Sequence, residues 1–158
     1  MPLSRSLPLW LSLLALLSCA EAREPVPPLA DLRAEAAASR QRGQPLVLFF
    51  HSRTCPYCRL VEEEYLRWVM EDNARSPRIL LRAVDIDSDA KLAGLNGEVT
   101  TPRAYARAQG VRLVPHLKFT GPDGEPLSTD LIGVSIRDYY AGYLEDAIRE
   151  SEEKLRKR

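Results

Sequence analysis

The chain has 158 residues, of which 45% are hydrophobic and 28% are charged. This composition is typical of one globular domain rather than of a disordered chain. Lysine and arginine together number 22, as do aspartate and glutamate, so the formal net charge is zero. A neutral chain has no general electrostatic attraction for polyanions, and we expect no nucleic-acid partner.

The first 22 residues have the pattern of a secretory signal peptide. One basic residue, Arg5, precedes a leucine-rich stretch at 7–17, and the small residues Ala20 and Ala22 follow it. The stretch is shorter than the roughly 20 residues that a membrane-spanning helix requires. We therefore expect cleavage after Ala22 and export of a single domain at 23–158.

Two other interpretations of this segment stay open. The apolar stretch can remain as an uncleaved N-terminal anchor. Alternatively, residues 16–19 (Leu-Leu-Ser-Cys) are similar to a bacterial lipobox, in which Cys19 becomes a lipidated first residue and anchors the protein to a membrane. Cleavage after Ala22 instead removes Cys19 and leaves Cys55 and Cys58 as the only cysteines, which excludes a disulfide scaffold.

Helix and strand patterns alternate in the first half of the mature chain. An alanine- and arginine-rich segment at 29–42 predicts a helix, and the continuous apolar run Leu46–Phe50 predicts a strand buried on both faces. A second strand is expected at Ile79–Ile86. Between the strands, four residues recur at helical spacing and predict the buried face of a second helix: Val61, Tyr65, Trp68 and Val69.

The second half predicts a short helix, a hairpin and a closing helix. Thr101 and Pro102 are typical of a cap and a first helical residue. Turn-forming residues at 121–124 separate apolar segments at 114–119 and 127–132, which predicts an antiparallel hairpin. Ser135 is expected to cap the closing helix. Its core and helix-face residues are predicted to be Ile136, Tyr139, Tyr140, Tyr143, Ala147 and Ile148.

Cys55 and Cys58 form the sequence Cys-Pro-Tyr-Cys at the predicted start of the second helix. Unpaired N–H groups and the positive end of the helix dipole favour the thiolate form of Cys55 there. Cys58 lies one turn further on, close enough to form a disulfide with Cys55, as thiol–disulfide exchange requires. Pro56 presets the backbone at the helix start, and Tyr57 adds an aromatic ring beside the sulfurs.

The cysteine pair has other uses in proteins, as half of a metal site or as an inert bridge. Structural zinc usually takes four Cys or His ligands, but the mature chain offers only His51 and His116 besides the pair. Redox chemistry without a cofactor or metal is therefore the favoured interpretation. A copper-handling or non-catalytic binding module, with Cys55, Cys58 and His116 around Cu(I), is the alternative from another class.

Together these motifs resemble the thioredoxin superfamily over nearly all of the mature chain. The resemblance rests on Leu46–Phe50, the cysteine motif, Ile79–Ile86, Val114-Pro115, the turn at 121–124 and Gly133. It implies an α/β thioredoxin-like fold, with a central mixed sheet of about four strands flanked by helices and an extra N-terminal helix. Exported bacterial proteins of the SoxW type are similar in having an insertion before the proline, here 88–110, and they imply a periplasmic location.

The resemblance also implies the roles of the site residues. Cys55 would be the exposed attacking thiol and Cys58 the buried resolving thiol. Pro115 would be a cis-proline that turns the backbone of Val114 toward an extended substrate, with Pro56 and Tyr57 on the rim of the same surface. The cysteine motif is also similar to that of glutaredoxins, but no glutathione-binding set is evident.

Two positions depart from the thioredoxin pattern. Phe49 stands where thioredoxins carry a buried acid six residues before the first cysteine, and Thr54 replaces a tryptophan. Proton transfer at Cys58 then needs another group, for which His51 and Asp85 are candidates. His116, next to Pro115, is a candidate for tuning the pKa of the thiols. Glu62, Glu63 and Glu64 are interpreted as a solvated acidic face.

The expected function is thiol:disulfide exchange in an exported protein. Cys55 and Cys58 would reduce protein disulfides, and a membrane thiol–disulfide donor would restore the dithiol, because an oxidising compartment does not supply electrons. A disulfide oxidase or isomerase of the same fold is the alternative within the enzyme class.

Overall fold

The computed structural model describes residues 25–158, so the predicted leader and Cys19 lie outside the described residues. The helices are α1 (Leu32–Arg42), α2 (Pro56–Val61), α3 (Arg67–Arg75), α4 (Pro102–Ala108) and α5 (Tyr140–Arg156). A π-helical segment, Glu62–Leu66, joins α2 to α3, and a 3₁₀ turn, Arg137–Tyr139, precedes α5. The strands are β1 (Leu46–His51), β2 (Leu80–Asp85), β3 (Leu92–Ala93), β4 (Val99–Thr100), β5 (His116–Thr120) and β6 (Leu131–Ile132). In this part of the chain, no helix is both long and apolar enough to cross a membrane.

Four strands form the central mixed sheet in the order β2-β1-β5-β6. β1 pairs in parallel with β2, from Leu46 opposite Leu80 to His51 opposite Asp85. β5 is antiparallel to both β1 and β6. The predicted α/β class and four-stranded mixed sheet are therefore confirmed.

The sheet has a hydrophobic core on each face, and β1 contributes to both. Val47 and Phe49 pack on one face with residues of α2, the π segment and α5. Leu46, Leu48 and Phe50 pack on the other face with residues of α1 and α4. Because alternate side chains of a strand point to opposite faces, a strand covered on both sides is apolar throughout. The continuous apolar run in the sequence has this cause.

The segment before α1 runs along the outer edge of β2. The N–H of Ala83 donates to the carbonyl of Pro27, and the N–H of Leu29 donates to the carbonyl of Ala83, both at 2.8 Å. Helix α1 then begins at Leu32 because the side chain of Asp31 accepts a hydrogen bond from the N–H of Ala34 at 2.9 Å. The predicted helix thus starts three residues later than expected.

The π segment changes which residues of the second helix are buried. Val61 and Leu66 are fully buried, whereas Trp68 is 67% exposed and Val69 is only half-buried. A π turn adds a residue to the helical repeat, so the buried face passes from Val61 to Leu66 rather than to Tyr65. The predicted apolar face is therefore wrong at Trp68, whereas Tyr65 and Val69 are partly buried and pack against the core.

The closing helix also differs from the sequence prediction. Its regular part begins at Tyr140, and no side chain caps the preceding turn, so Ser135 is not an N-cap. Ile136, Tyr139 and Tyr143 are exposed. Residues before Tyr140 lie outside the register of the helix. Its buried residues are Tyr140, Leu144, Ala147, Ile148 and Ser151.

The hairpin turn is present, with Gly124 at a φ of 80° and its N–H donating to the carbonyl of Gly121 at 3.0 Å. The returning strand is shorter than predicted and is regular only in β6. Pro126 lacks an N–H to donate to the ladder. The hydroxyl of Ser128 donates a hydrogen bond to Glu150 at 2.9 Å.

The insertion before β5 contains the β3–β4 hairpin and the predicted helix α4, which Thr101 caps through the N–H of Ala104.

The π segment predicts which of Leu66 and Trp68 contributes more to stability, and helical spacing alone would predict the opposite order. Leu66→Ala is expected to lower the free energy of unfolding by about 2–5 kcal/mol, because it leaves a cavity in the core. Trp68→Ala is expected to cost less than about 1 kcal/mol, because the ring is mostly in solvent. Urea unfolding measures both changes. A larger loss for Trp68→Ala would contradict the observed packing.

Candidate redox site

Cys55 lies at the start of the helix that follows β1. Its N–H donates to the carbonyl of Ser52 at 3.1 Å, which turns the chain from the strand into the helix. Pro56 occupies the first helical position, where a missing N–H costs nothing. The Cys55 sulfur accepts a hydrogen bond from the backbone N–H of Cys58 at 3.2 Å. This contact stabilises negative charge on the Cys55 sulfur.

Cys58 is the buried member of the pair, with an exposed fraction of 2%. Neither Cys55 nor Cys58 is in a disulfide bond. Burial is the main cause that raises the pKa of Cys58, to about 12, and the hydrogen bond with Cys55 is the second cause. At neutral pH this thiol is protonated, and it must lose a proton before it can act as a nucleophile.

The peptide bond between Val114 and Pro115 is cis. The thiol of Cys55 donates to the carbonyl oxygen of Val114, with a sulfur–oxygen distance of 3.8 Å. The carbonyl of Pro115 in turn accepts a hydrogen bond from the N–H of Gly133 at 2.8 Å. The structure thus brings Val114 to the Cys55 sulfur and links the proline to the segment before α5.

The rim of the site is partly apolar. Tyr57 is 63% exposed, and Pro56 is exposed beside it. Leu113, which precedes Val114 in the chain, is also exposed. Sequence reasoning missed Leu113, although its position next to the Val114-Pro115 motif was a usable signal.

A cavity of about 310 Å³ lies beside the two sulfurs. His51 lines this cavity with the pair, as do Glu62 and Glu63, which the sequence prediction assigned to a solvated face. Glu62 is half-buried, and its Oε1 accepts a hydrogen bond from the N–H of Val26 at 3.0 Å. Its spacing of four residues from Cys58 was the signal for this position. The residues that line the cavity are His51, Ser52, Arg53, Cys55, Cys58, Arg59, Glu62 and Glu63.

Of the two predicted proton-transfer candidates, His51 lines this cavity and Asp85 does not. The ring of His51 stacks on that of Phe49, with 5.1 Å between centroids. Burial lowers the pKa of His51, and the negative charges of Asp85 and Glu62 oppose this effect. Asp85 lies opposite His51 on β2 and pairs with Arg53 at 2.8 Å.

His116 does not lie where the sequence prediction places it. It is buried with its Nε2 2.8 Å from Oδ2 of Asp130, and its ring packs against the edge of Phe50. Phe50 points to the sheet face opposite to Phe49 and Cys58. The structure thus separates His116 from the buried thiol, so the expected pKa tuning by His116 is not supported.

The placement of His116 also bears on the copper interpretation. His116 packs beside Phe50 on the sheet face opposite to Cys58, so the structure does not bring it to the cysteine pair as a third ligand. Among residues 25–158, no three side chains of metal-binding type are grouped so that they could hold an ion.

Comparison with solved structures gives thioredoxin folds. DsbH oxidoreductase is 15% identical over 85% of this chain and 92% of its own, with a TM-score of 0.56. Mitochondrial thioredoxin 3 from Saccharomyces cerevisiae, in its oxidised form, is 18% identical over 79% of this chain and 94% of its own, with a TM-score of 0.54. Thioredoxin O2 from Arabidopsis thaliana, also oxidised, is 19% identical over 77% of this chain and 92% of its own, with a TM-score of 0.51. At these identities the likeness establishes the fold.

No curated protein is detectably similar to the chain. A sequence model of the thioredoxin-like domain family matches residues 32–148, which include the cysteine pair, the cis-proline and the first half of the closing helix. The chain therefore belongs to the thioredoxin-like domain family, and its paired thiols place it among the thiol:disulfide oxidoreductases of that fold.

Proposed function

We propose that the protein is an exported, SoxW-type reductase of protein disulfides that acts by dithiol–disulfide exchange. One observation carries the proposal: Cys55 is a partly exposed thiol at a helix start, with a second thiol, Cys58, buried directly behind it. The first thiol is accessible to a large substrate. The second thiol is shielded from a large substrate but is close enough to react with the first thiol.

The proposed exchange has two steps. The Cys55 thiolate attacks one sulfur of a substrate disulfide, so that a Cys55–substrate bond forms, the substrate disulfide breaks, and the departing thiolate takes up a proton. Cys58 then loses its proton and attacks the Cys55 sulfur, forming the Cys55–Cys58 disulfide and releasing the second substrate thiolate. Two electrons pass from the pair to the substrate.

The rim of the site favours an extended protein segment as substrate. Such a segment can pair with the backbone of Val114 beside the attacking sulfur, as in strand addition. The exposed side chains of Tyr57 and Leu113, and the ring of Pro56, offer apolar contact surface. These contacts do not depend on a particular substrate sequence.

Export and the electron donor follow from the leader pattern. The first 22 residues support export to a bacterial periplasm, with a lipid anchor at Cys19 as the alternative. A reductase in an oxidising compartment needs a donor of electrons, and a membrane thiol–disulfide protein is the proposed one. The same site would serve an oxidase or an isomerase if the reduction potential were high.

The difference in burial between the two thiols predicts a difference in reactivity. Alkylation by iodoacetamide at pH 8 is expected to be more than about a hundredfold faster at Cys55 in the Cys58→Ser variant than at Cys58 in the Cys55→Ser variant, because Cys58 is buried and its pKa is raised. Mass spectrometry of the modified peptides measures both rates. Similar rates would contradict the assignment of attacking and resolving thiols.

The exchange itself is tested by reduction of insulin disulfides with dithiothreitol as the electron donor. The wild-type chain is expected to accelerate the reaction, and Cys55→Ser and Cys58→Ser are each expected to reduce turnover to the uncatalysed rate. Cys19→Ser is the matched control and should leave turnover unchanged. Full turnover in the Cys55→Ser variant would refute the mechanism.

A further inference from the structure

We propose that the carboxylate of Glu62 accepts the proton of Cys58 when that thiol resolves the mixed disulfide. This inference rests on the proposed exchange and adds a residue to it. Cys58 is buried and protonated at neutral pH, so its attack requires a proton acceptor nearby. On the sheet, Phe49 lies opposite Ala83 in the register of β1 and β2. Both side chains are apolar, so neither can accept a proton.

The helix places Glu62 on the same side as Cys58. The N–H of Glu62 donates to the carbonyls of Cys58 and Arg59, and its backbone keeps helical dihedral angles, with φ at −63° and ψ at −48°. Residues four apart in a helix lie on one face, and their side chains tilt toward the helix N-terminus. This tilt brings the Glu62 carboxylate back over the turn that contains Cys58.

The cavity connects the two groups. Cys58 and Glu62 both line the space of about 310 Å³ beside the pair. This volume is sufficient for several water molecules, and its lining offers polar partners for them. A proton can therefore pass from the Cys58 sulfur to the carboxylate through water without crossing the apolar core.

Contacts with other elements hold the Glu62 carboxylate in place. Oε1 is fixed by the N–H of Val26, 36 residues earlier in the chain, while Oε2 keeps its capacity to accept a proton. The adjacent acids differ from it: Glu63 and Glu64 are exposed, and Glu64 pairs with Arg137. Glu62 thus combines a fixed position with access to the cavity.

Charged groups of both signs lie around the Glu62 carboxylate. Arg53 pairs with Asp85, burial lowers the pKa of His51, and Arg59 is the other cationic residue at the cavity. The negative charge of Glu62 itself helps to raise the pKa of Cys58. The titratable groups that face the cavity or act on its residues are His51, Arg53, Cys55, Arg59, Glu63, Asp85 and Asp87.

In the proposed step, the proton leaves the Cys58 sulfur for the Glu62 carboxylate. The electron pair that remains on sulfur forms the bond to Cys55, and the Cys55–substrate bond breaks. The substrate leaves as a thiolate and takes up a proton from solvent, while Glu62 returns its proton to solvent through the cavity. In this step, Glu62 is uncharged only while Cys58 attacks the Cys55 sulfur.

In the test, the full reduced chain with the Cys19→Ser substitution is mixed with an aromatic disulfide, 5,5′-dithiobis(2-nitrobenzoate). Attack by Cys55 releases one coloured thiolate, and resolution by Cys58 releases a second, so stopped-flow absorbance gives both rates. We expect Glu62→Gln to slow the second phase about tenfold or more at pH 7, and to leave the first phase nearly unchanged. The second-phase rate in this variant should then rise about tenfold per pH unit, as it does for a thiol that must ionise unaided.

The sign of the effect separates proton transfer from a simple charge effect. A spectator carboxylate disfavours the Cys58 thiolate, so its removal would speed the second phase. An equal or faster second phase in Glu62→Gln would therefore overturn the inference. Glu64→Gln makes the same charge change on the same segment and should change neither phase. Glutamine keeps an oxygen for the N–H of Val26, and an unchanged first phase with unchanged thermal unfolding verifies the fold.

The same experiment distinguishes failure of the proposed function from failure of the Glu62 role. If the wild-type chain releases only one coloured thiolate, Cys58 does not resolve the mixed disulfide, and the exchange mechanism fails. If the wild-type chain releases both and Glu62→Gln matches it, only the role of Glu62 fails.

Discussion

The hydrogen bond between the backbone N–H of Cys58 and the sulfur of Cys55 links the fold to the chemistry. It exists only because the chain leaves the buried strand β1 and enters a helix within four residues, with Cys55 at the last position before the helix. A central strand covered on both faces fixes this point in the molecule. The same geometry stabilises charge on the outer sulfur and hides the inner one, so the two chemically identical side chains acquire different roles.

The π segment modifies the active-site helix where it leaves the pair. An added residue in this turn buries Leu66 and leaves Trp68 exposed, while Glu62, one turn after Cys58, lies beside the cavity. In this protein the sheet side of the resolving thiol is apolar, because Phe49 and Ala83 face each other across β1 and β2. The ionisable side chains of Glu62 and His51, which line the cavity beside the pair, lie on the helix and at the end of β1. The proton path of Cys58 therefore runs along the helix rather than through the sheet.

Sequence reasoning succeeded where one local signal decides the structure. An unbroken apolar run predicts β1, and the cysteine spacing predicts the helix start. It failed where distant residues decide. The exposure of Trp68 depends on a π turn that helical spacing does not reveal. The burial of Glu62 depends on Val26, which lies far away in sequence. His116 follows the proline that adjoins the site, but alternation along β5 turns its ring to the other face, beside Phe50.

The central claim, that the Cys55–Cys58 pair is a reducing couple, is tested most directly by its reduction potential, measured in glutathione buffers by alkylation and mass spectrometry. A pair that donates electrons to protein disulfides should have a potential near that of thioredoxin, about −270 mV. A potential near about −120 mV, typical of a strong oxidant, would contradict the reductase assignment and favour an oxidase with the same site.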